Sequence, residues 1–478
     1  MKQKGYKYLG NYKLPTLYCC LLQNWAKNNL ASKYNLPNLK GKTLYLDGHL
    51  FFGKRDWDLL GKITREEFHQ KSDKFFEGIF RLMDKQTKKI LAISQKIRSQ
   101  KEASYQDWKT FFKAINHLEY PWIVVLPVSD ELEKLIRDTI LKYKLPAKMM
   151  DAFRIPNKKT PILDQKEEAG KIKKYLICNG LIKSFDSGNI SKKLEKILKN
   201  DKLAYKKIIK HVEKYKWFGM MHFWGEPFST KKLFSQMEDI DNSRDTVNKP
   251  NNYSAFPDNL KWILPITQKL AYWRNYVAEV CSMASYVFYE NFPKVIEKFG
   301  LNYEMAIWMT PQEFLESLKA KKSQISKEAL KARKKSYGIV SRKGDFFVVV
   351  GKEINKYFSY SKLSKITSKI IRGNVACSGV IRGRVKKISS PDELGKVKRG
   401  DVFVASETTP DYVFALKLAG AIIADNGGIT SHAAIISREL NIPCIVGTKI
   451  ATEVLEDGDL VEVDANNGII KIINNKKR

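Results

Sequence analysis

Apolar residues recur at helical spacing through most of the first 340 residues. After a capped start near Thr64, large apolar side chains follow one another three or four positions apart as far as Gln100. The same spacing returns in later segments, and it predicts helices over 63–100, 105–118, 129–144, 162–185, 190–200, 203–214, 260–300 and 324–336. Because lysines fill many of the outer positions, we expect a mostly α-helical N-terminal region with a solvated surface.

Other patterns interrupt these helices. Residues 44–53 predict a hairpin with Asp47-Gly48 at its turn, and residues 339–350 predict a second hairpin around Gly344-Asp345. The apolar segment Pro121–Pro127 is compatible with a short strand or with the start of a packed helix. Gly300 has the position of a helix C-cap, and Thr310, followed by proline and by glutamate at the third position, predicts a new helix start.

The pattern changes near residue 373 to short apolar runs separated by turns. Ala421–Ala424 predicts a buried strand, and Cys444–Gly447 predicts the next one. Between them, Gly427-Gly428 allows a tight turn, and Thr430 is a suitable N-cap for a helix that ends at Ile442-Pro443. His432 is therefore expected in the first turn of a helix, at the carboxyl end of a strand.

This position favours a chemical role for the imidazole of His432. Free N–H groups and the positive end of a helix dipole stabilise an anion there, and the hydroxyls of Thr430 and Ser431 add donors. An imidazole nitrogen is a nucleophile near neutral pH, so His432 could accept a phosphoryl group. Ala433 and Ala434 are small, which would let another active site approach the ring closely. The alternative is a polar residue that only caps a helix.

The ordered run Gly427–Glu439, followed by Ile442-Pro443 and Val446-Gly447, resembles the phosphohistidine (swivelling) domain of phosphoenolpyruvate-utilising enzymes. That family includes phosphoenolpyruvate synthase, pyruvate phosphate dikinase and rifampicin phosphotransferase. The resemblance extends over about residues 373 to 474, and Thr408–Asp411 resembles the loop that faces the histidine. It implies a C-terminal α/β domain in which the histidine carries a phosphoryl group between two separated sites.

On this resemblance, His432 is the catalytic residue, and the phosphate neighbours are Gly428, Thr409, Thr430 and Ser431. The chain is expected to be multidomain. Residues 1–358 would form the helical substrate- or partner-binding region, with a subdomain boundary near 200–250. Residues 359–372 are rich in Ser and Lys and would form a flexible linker that reaches roughly 45 to 50 Å when extended. Residues 373–478 would form the swivelling domain.

The composition of the chain excludes several classes of protein. The 478 residues contain no apolar run near the roughly 18 to 20 needed to span a membrane. The start of the chain lacks the features of a secretory signal, and six scattered cysteines form neither a disulfide framework nor a zinc spacing. We therefore expect a cytoplasmic protein without a membrane segment and without a metal site of its own.

The net charge of +34 raises the question of nucleic-acid binding. Of the 85 basic and 51 acidic side chains, residues 374–478 hold 14 and 13, so the other residues hold 71 and 38. The basic residues are 69 Lys and 16 Arg, whereas geometric recognition of bases and phosphates uses Arg more. Dispersed lysines are typical of a solvated surface, and the composition argues against nucleic acid as the partner.

An aromatic segment, Trp217–Phe228, is the most distinctive stretch outside the swivelling domain. Its His222 and Trp224 are candidate substrate-binding residues, because such a cluster could line a pocket for an apolar or aromatic ligand. The alternative is a core turn with a packed histidine. Arg274, between two aromatic residues, is a third candidate for a substrate anion, and the alternative there is an ordinary surface arginine.

Residues 1–360 show no convincing glycine-rich phosphate loop with accompanying Lys, Arg and acidic metal ligands, and the sequence ends after the histidine domain. We therefore expect a phosphotransferase component without its own ATP-grasp domain and without a recognisable cofactor motif. A separate ATP-grasp or phosphoenolpyruvate-binding partner would supply Mg²⁺ and ATP or phosphoenolpyruvate, and a small-molecule acceptor would bind the helical region. The alternatives are a non-catalytic regulatory or binding protein and a Lys-rich nucleic-acid-binding scaffold.

Overall fold

The computed structural model describes the chain except for residues 1–5, 12–13, 24–33, 35, 38, 40–42, 146–148, 150–151, 154, 183–184, 186–188, 240–255, 343–344, 358–369, 389–390, 409–411, 428–430 and 475–478. None of the helices in this described part combines the length and the apolarity that a membrane span requires.

The N-terminal region is mostly helical, as expected. Its α-helices are α1 (Thr16–Gln23), α2 (Lys54–Gln70), α3 (Lys74–Arg98), α4 (Tyr105–Lys142), α5 (Pro161–Cys178), α6 (Ile190–Asn200), α7 (Lys202–Lys214), α8 (Thr230–Asp239), α9 (Asp258–Lys261), α10 (Leu264–Asn291), α11 (Pro293–Ile296), α12 (Tyr303–Ala306), α13 (Pro311–Ala320) and α14 (Lys327–Lys335). Two predicted helix ends are confirmed: Gly300 adopts a left-handed C-cap with φ 68°, and Thr310 forms a capping box with Glu313.

Several helices differ from the prediction. The helices predicted over 105–118 and 129–144 form the single helix α4, and the helix predicted over 260–300 is divided among α9, α10 and α11. The helix predicted over 63–100 is two helices, because Lys71 adopts a left-handed conformation (φ 51°) that ends α2. The segment Pro121–Pro127 lies inside the 38-residue helix α4. A proline inside a helix removes a backbone hydrogen bond. Here the side chains between the prolines, such as Val124 and Val125, are buried, and their packing offsets that loss.

A five-stranded antiparallel sheet accompanies the N-terminal helices. Its strands are β1 (Tyr6–Asn11), β2 (Thr43–Leu46), β3 (His49–Gly53), β6 (Tyr337–Arg342) and β7 (Asp345–Val350), in the order β1-β3-β2-β6-β7. Both predicted hairpins are confirmed, the first with positive φ at Asp47 and Gly48. Asp345, predicted in the turn of the second hairpin, is instead the first residue of β7 and pairs with Arg342, while Gly344 lies outside the described residues. A two-stranded ladder, β4 (Met220–Met221) with β5 (Trp224–Gly225), lies within the aromatic segment.

The described part of the N-terminal region has two main hydrophobic cores and a third, small cluster at the hairpins that includes Leu46, Phe51 and Val340. The larger core joins α1, α3, α4 and α10 to the hairpins through side chains such as Trp108 and Phe288. The smaller core joins α5, α6, α7 and α8, and it includes residues from Ala169 to Met237. Helix α5 belongs to it because α5 packs on α7. The subdomain boundary near 200–250 stays a prediction.

The C-terminal region has the expected α/β composition. Its strands are β8 (Ile370–Arg372), β9 (Asn374–Cys377), β10 (Val380–Ile388), β11 (Val402–Ala405), β12 (Ala421–Ala424), β13 (Cys444–Val446), β14 (Leu460–Asp464) and β15 (Ile469–Asn474), and its helices are α15 (Val413–Leu418), α16 (His432–Leu440) and α17 (Ala451–Val454). The strand order is β8-β15-β14-β10-β11-β12-β13-β9. Only Gly373 separates β8 from β9, so the two ends of this order are consecutive in the chain and the sheet curls back on itself.

The predicted linker is shorter than expected at its C-terminal end. Ile370–Arg372 pairs with β15 and therefore belongs to the sheet. Residues 358–369 lie outside the described part of the chain. Strands β11, β12 and β13 run parallel to one another and are fully buried, as parallel strands covered on both faces require.

Candidate functional site

The carboxyl ends of the parallel strands β11, β12 and β13 lie at one edge of the C-terminal sheet. The residues that follow β11 and β12 are joined directly, because the N–H of Asn426 donates to the carbonyl of Ser406 at 2.8 Å. The Asn426 side-chain amide also donates to the Ser406 hydroxyl, at 3.0 Å. At such an edge in an open α/β sheet, loops from neighbouring strands build ligand sites. The segment that leads from β12 to His432, the first residue of α16, begins at this edge.

Helix α16 begins at His432, whose backbone is part of the described structure. Its N-cap is Ser431, and the Ser431 hydroxyl accepts a hydrogen bond from the N–H of Ala434 at 3.4 Å. The prediction that Thr430 is the N-cap is therefore wrong, because the helical backbone starts one residue later than the apolar spacing suggested. The N–H groups of His432 and Ala433 have no acceptor within the helix and lie at its positive end. This helix end can stabilise an anion.

The turn before α16 depends on a glycine. Gly427 has φ 92°, which residues with a side chain rarely adopt. A Cβ atom at this position would lie 2.4 Å from the Cβ of Ser431. Glycine therefore permits both the turn and the close approach of the N-cap serine. The predicted phosphate neighbours Gly428, Thr430 and Thr409 lie outside the described residues, and their roles stay predictions.

Ala433 and Ala434 have a different role from the one expected. Both side chains are buried, with at most 1% of their surface exposed, and they pack in the core between α16 and the sheet. Their small size lets α16 lie close to β9 and β13. The expectation that they leave space for another active site beside the ring is therefore wrong. The helix period places these positions on the inner face of α16.

Asp425 organises this edge, and the sequence analysis did not single it out. It directly follows β12 and is 2% exposed. Its carboxylate accepts from the Thr448 hydroxyl and the Ala451 N–H, both at 2.6 Å, and from the N–H of Thr452 at 3.0 Å and the Thr452 hydroxyl. Asp425 thereby joins the segment before His432 to the start of α17. The sequence signal that could have identified Asp425 is a carboxylate immediately after a predicted buried strand.

The C-terminal domain contacts the N-terminal sheet next to this edge. Glu453 on α17 lies 3.8 Å from the Nδ1 atom of His49, the first residue of β3. Burial raises the pKa of Glu453 to about 7 and lowers the pKa of His49 to about 4. At neutral pH His49 is therefore uncharged and the contact is not an ion pair. Since α17 is held to Asp425, this contact lies beside the segment that leads to His432.

The three predicted substrate-binding residues do not form one cluster. His222 and Trp224 flank Phe223 at the turn between β4 and β5. The N–H of Phe223 donates to the hydroxyl of Ser285 on α10 at 3.1 Å. Arg274 is an exposed residue of the same helix, eleven positions before Ser285 and therefore about 16 Å away along the helix axis. His222 and Trp224 stay together as candidates, and Arg274 is separate from them.

Other polar features of the N-terminal region have structural explanations. An open cavity of about 340 Å³ near the end of α10 is lined by Arg98, Glu290, Asn291 and Lys294. Arg98 pairs with Glu290 at 3.3 Å, and Lys294 donates to Asn291 at 3.0 Å, so these groups already have partners. Among the residues that the structure describes, no group of three or more His, Cys, Asp or Glu side chains could hold a metal ion.

Comparison with known proteins identifies the C-terminal domain. Residues 397–468 match the family described as the mobile domain of PEP-utilising enzymes. A probable phosphoenolpyruvate synthase of Archaeoglobus fulgidus is 52% identical over 101 residues, which make up 21% of this chain and 13% of that protein. A probable phosphoenolpyruvate synthase of Methanothermobacter thermautotrophicus is 43% identical over 129 residues, or 27% of this chain and 19% of that protein.

A third relative, the uncharacterized phosphotransferase YvkC of Bacillus subtilis, is 46% identical over 109 residues, or 23% of this chain and 13% of that protein. The chain thus spans only 13 to 19% of the length of these relatives. The similarity covers the domain that contains His432. The chain therefore contains the phosphohistidine (mobile) domain of the phosphoenolpyruvate-utilising enzyme family.

Proposed function

We propose that this chain is the phosphoryl-carrying component of a phosphotransferase, in which His432 receives a phosphoryl group from a partner protein and passes it to an acceptor at the N-terminal region. The observation that carries the proposal is the position of His432, the first residue of an N-capped helix within a segment that matches the mobile domain. The names of the relatives, phosphoenolpyruvate synthase and phosphotransferase, support the same class of reaction.

The reaction has two displacements at phosphorus. In the first, the lone pair of a His432 ring nitrogen forms a P–N bond, and the bond from phosphorus to the donor's leaving oxygen breaks with its electron pair. In the second, an acceptor hydroxyl oxygen attacks, the P–N bond returns its electron pair to the ring nitrogen, and the hydroxyl proton passes to a base or to water. Such transfers depend on positioning and on neutralising the phosphoryl charge.

The surroundings of His432 suit an anionic phosphoryl group. The first-turn N–H groups and the helix dipole of α16 favour negative charge at this end. The bonds of Asp425 to α17, together with the Asn426–Ser406 pair, hold the segment that precedes the helix. Mg²⁺ and the phosphoryl donor, ATP or phosphoenolpyruvate, would be supplied by an ATP-grasp or phosphoenolpyruvate-binding partner.

The N-terminal region is proposed as the acceptor side. It carries its own cores and contacts the mobile domain at His49 and Glu453, beside the edge that leads to His432. A mobile carrier must also leave this position to meet its donor. The contact suits that requirement, because both carboxylate oxygens of Glu453 are buried without a hydrogen bond from any described residue. When the mobile domain leaves this position, water can therefore hydrate the two Glu453 oxygens.

The experiment that tests the proposal is phosphorylation of the purified full chain with γ-labelled ATP or with labelled phosphoenolpyruvate, alone and with a candidate ATP-grasp partner. We expect acid-labile, base-stable label that is absent from His432→Ala. The matched control is His69→Ala, which removes an exposed histidine of α2 and should keep the label. Label that persists in His432→Ala, or no label with any donor and partner, would contradict the proposal.

A further inference from the structure

The turn at His222-Phe223 has an unusual backbone. Two successive residues with side chains adopt positive φ, 53° at His222 and 63° at Phe223. This region is costly for a residue with a Cβ atom, and two-residue hairpins normally place Asn or Gly there. Residues in such conformations persist only where their surroundings hold them, and they are concentrated at functional sites.

The surroundings of Phe223 hold this turn from several directions. Its N–H donates to the hydroxyl of Ser285, and its carbonyl accepts from the hydroxyl of Tyr303 at 2.8 Å. Its fully buried ring stacks on Phe288 with ring centres 4.2 Å apart. The fold therefore anchors the middle of the turn firmly, which fixes the directions of His222 and Trp224 on either side.

The anchored turn presents aromatic surface to solvent. Trp224 is 49% exposed and rests edge-on against Trp308, with ring centres 6.1 Å apart. Tyr289 is 37% exposed and rests edge-on against Tyr303, whose hydroxyl holds the turn. Tyr303 thus contacts both Tyr289 and the turn that carries Trp224. Exposed rings on a rigid base offer stacking surface at a low cost in side-chain entropy.

His222 adds a polar group to this surface. The residue is partly buried, and the centre of its ring lies 4.3 Å from the centre of the Tyr18 ring. The Tyr18 hydroxyl in turn donates to the buried carboxyl group of Glu119 at 2.5 Å. Burial lowers the pKa of His222 to about 4, so its ring is neutral at pH 7. A neutral imidazole has one nitrogen that accepts a hydrogen bond. His222 can therefore accept one from a ligand hydroxyl.

A chain of contacts connects this surface to the mobile domain. Trp308, the support of Trp224, lies edge-on to Tyr337 with ring centres 5.8 Å apart. The carbonyl of Tyr337 accepts from the N–H of Asp47 at 2.8 Å, two residues before His49. His49 is the residue that contacts Glu453 of the mobile domain. The aromatic surface and the domain contact therefore lie in the same part of the N-terminal region.

We propose that His222, Trp224 and Tyr289 bind the phosphoryl acceptor, and that this acceptor carries an aromatic ring and a hydroxyl group. The ring stacks on Trp224 and Tyr289, and the hydroxyl donates to His222. Tyr18 is a positioning residue, since it supports the His222 ring, and Glu119 positions Tyr18. This inference rests on the proposed function, to which it adds the acceptor's site and chemical class.

The test uses 2-naphthol as the probe, titrated calorimetrically into the purified full chain, with cyclohexanol as the non-aromatic hydroxyl probe. We expect saturable binding of 2-naphthol, at least about tenfold weaker in Trp224→Ala, as loss of one aromatic contact implies. The matched control is Tyr143→Ala, because Tyr143 is also an aromatic residue with 49% exposure but lies just after α4. This control should bind 2-naphthol as the wild type does.

A second variant separates the hydroxyl contact from stacking. His222→Phe keeps a ring and removes the acceptor nitrogen, so it should weaken 2-naphthol but not 2-methylnaphthalene. The inference would be overturned if Trp224→Ala and Tyr143→Ala lost the same affinity for 2-naphthol. It would also be overturned if the wild type bound 2-naphthol and cyclohexanol with equal affinity. Because the labelling of His432 does not require an acceptor, label on His432 without 2-naphthol binding would refute this inference and leave the proposed function standing. Binding without label would refute the proposed function and, with it, the role of these residues as an acceptor site, and it would leave only a site for aromatic ligands.

Discussion

The buried carboxyl group of Glu119 should make the stability of the N-terminal core depend on pH. Its side chain is 2% exposed on α4, and burial raises its pKa from 4.5 to about 7. Between these two pH values the folded chain keeps a proton that the unfolded chain loses. The free energy of unfolding therefore falls as pH rises through this window, and a shift of this size corresponds to about 3 kcal/mol above pH 7.

The variant Glu119→Gln removes the charge and keeps an oxygen that accepts from the Tyr18 hydroxyl. We expect its free energy of unfolding to exceed that of the wild type by less than about 1 kcal/mol at pH 5 and by up to about 3 kcal/mol at pH 8. Urea denaturation of both proteins at pH 5, 6, 7 and 8 measures the difference. Glu279 and Glu453 also have pKa values raised to about 7 by burial, but they are present in both proteins and cancel.

The control variant is Glu297→Gln, which removes one negative charge from an exposed position. It accounts for the general effect of net charge on a strongly basic chain. A difference between Glu119→Gln and the wild type that is the same at pH 5 and pH 8 would refute the reasoning. A lower free energy of unfolding for Glu119→Gln than for the wild type at pH 8 would also refute it, because the ionised carboxylate of Glu119 would then stabilise the fold.

Two further predictions concern the edge that leads to His432. Asp425→Ala leaves buried donors at the start of α17 without an acceptor, and we expect a loss of about 3 kcal/mol in urea denaturation. The control is Asp457→Ala, an exposed carboxylate that accepts from one backbone N–H, and an equal effect of the two would contradict the role of burial. Gly427→Ala should lower the labelling of His432 several-fold, since its φ of 92° and its contact with the N-cap exclude a Cβ. Gly395→Ala, where a Cβ meets no atom within 4 Å, should label normally.

The local pattern of the sequence determined the elements around the functional site. The buried run Ala421–Ala424, the positive φ of Gly427 and the helix that ends before Ile442-Pro443 are all present in the structure. These features depend on neighbours in sequence, namely side-chain period, turn conformation and capping. For the same reason the hairpin at Asp47-Gly48 and the helix start at Thr310 could be predicted. The order of residues around His432 also carried the family resemblance.

Where the local pattern allowed two outcomes, the predictions from sequence were wrong in detail. They placed a helix start one residue too early or assigned a side chain to the wrong face of a helix. The N-cap is Ser431 rather than Thr430, because both residues are capable caps and only the start of the helical backbone distinguishes them. Ala433 and Ala434 face the core rather than a partner, because a small side chain suits a close helix–sheet contact as well as an open surface. The prolines of α4 lie within a helix because long-range packing outweighs their local cost.

The sequence by itself therefore determined the mobile domain, the position of His432 and most of the helices. Only the tertiary structure decided which distant residues meet: Asp425 with the start of α17, His49 with Glu453, and the His222-Phe223 turn with Tyr18 and Glu119. The residues of these pairs are 26 to 404 positions apart in the chain, and they meet only because packing closes long loops. A sequence pattern reports the preferences of near neighbours, whereas such contacts depend on how whole helices and sheets pack together.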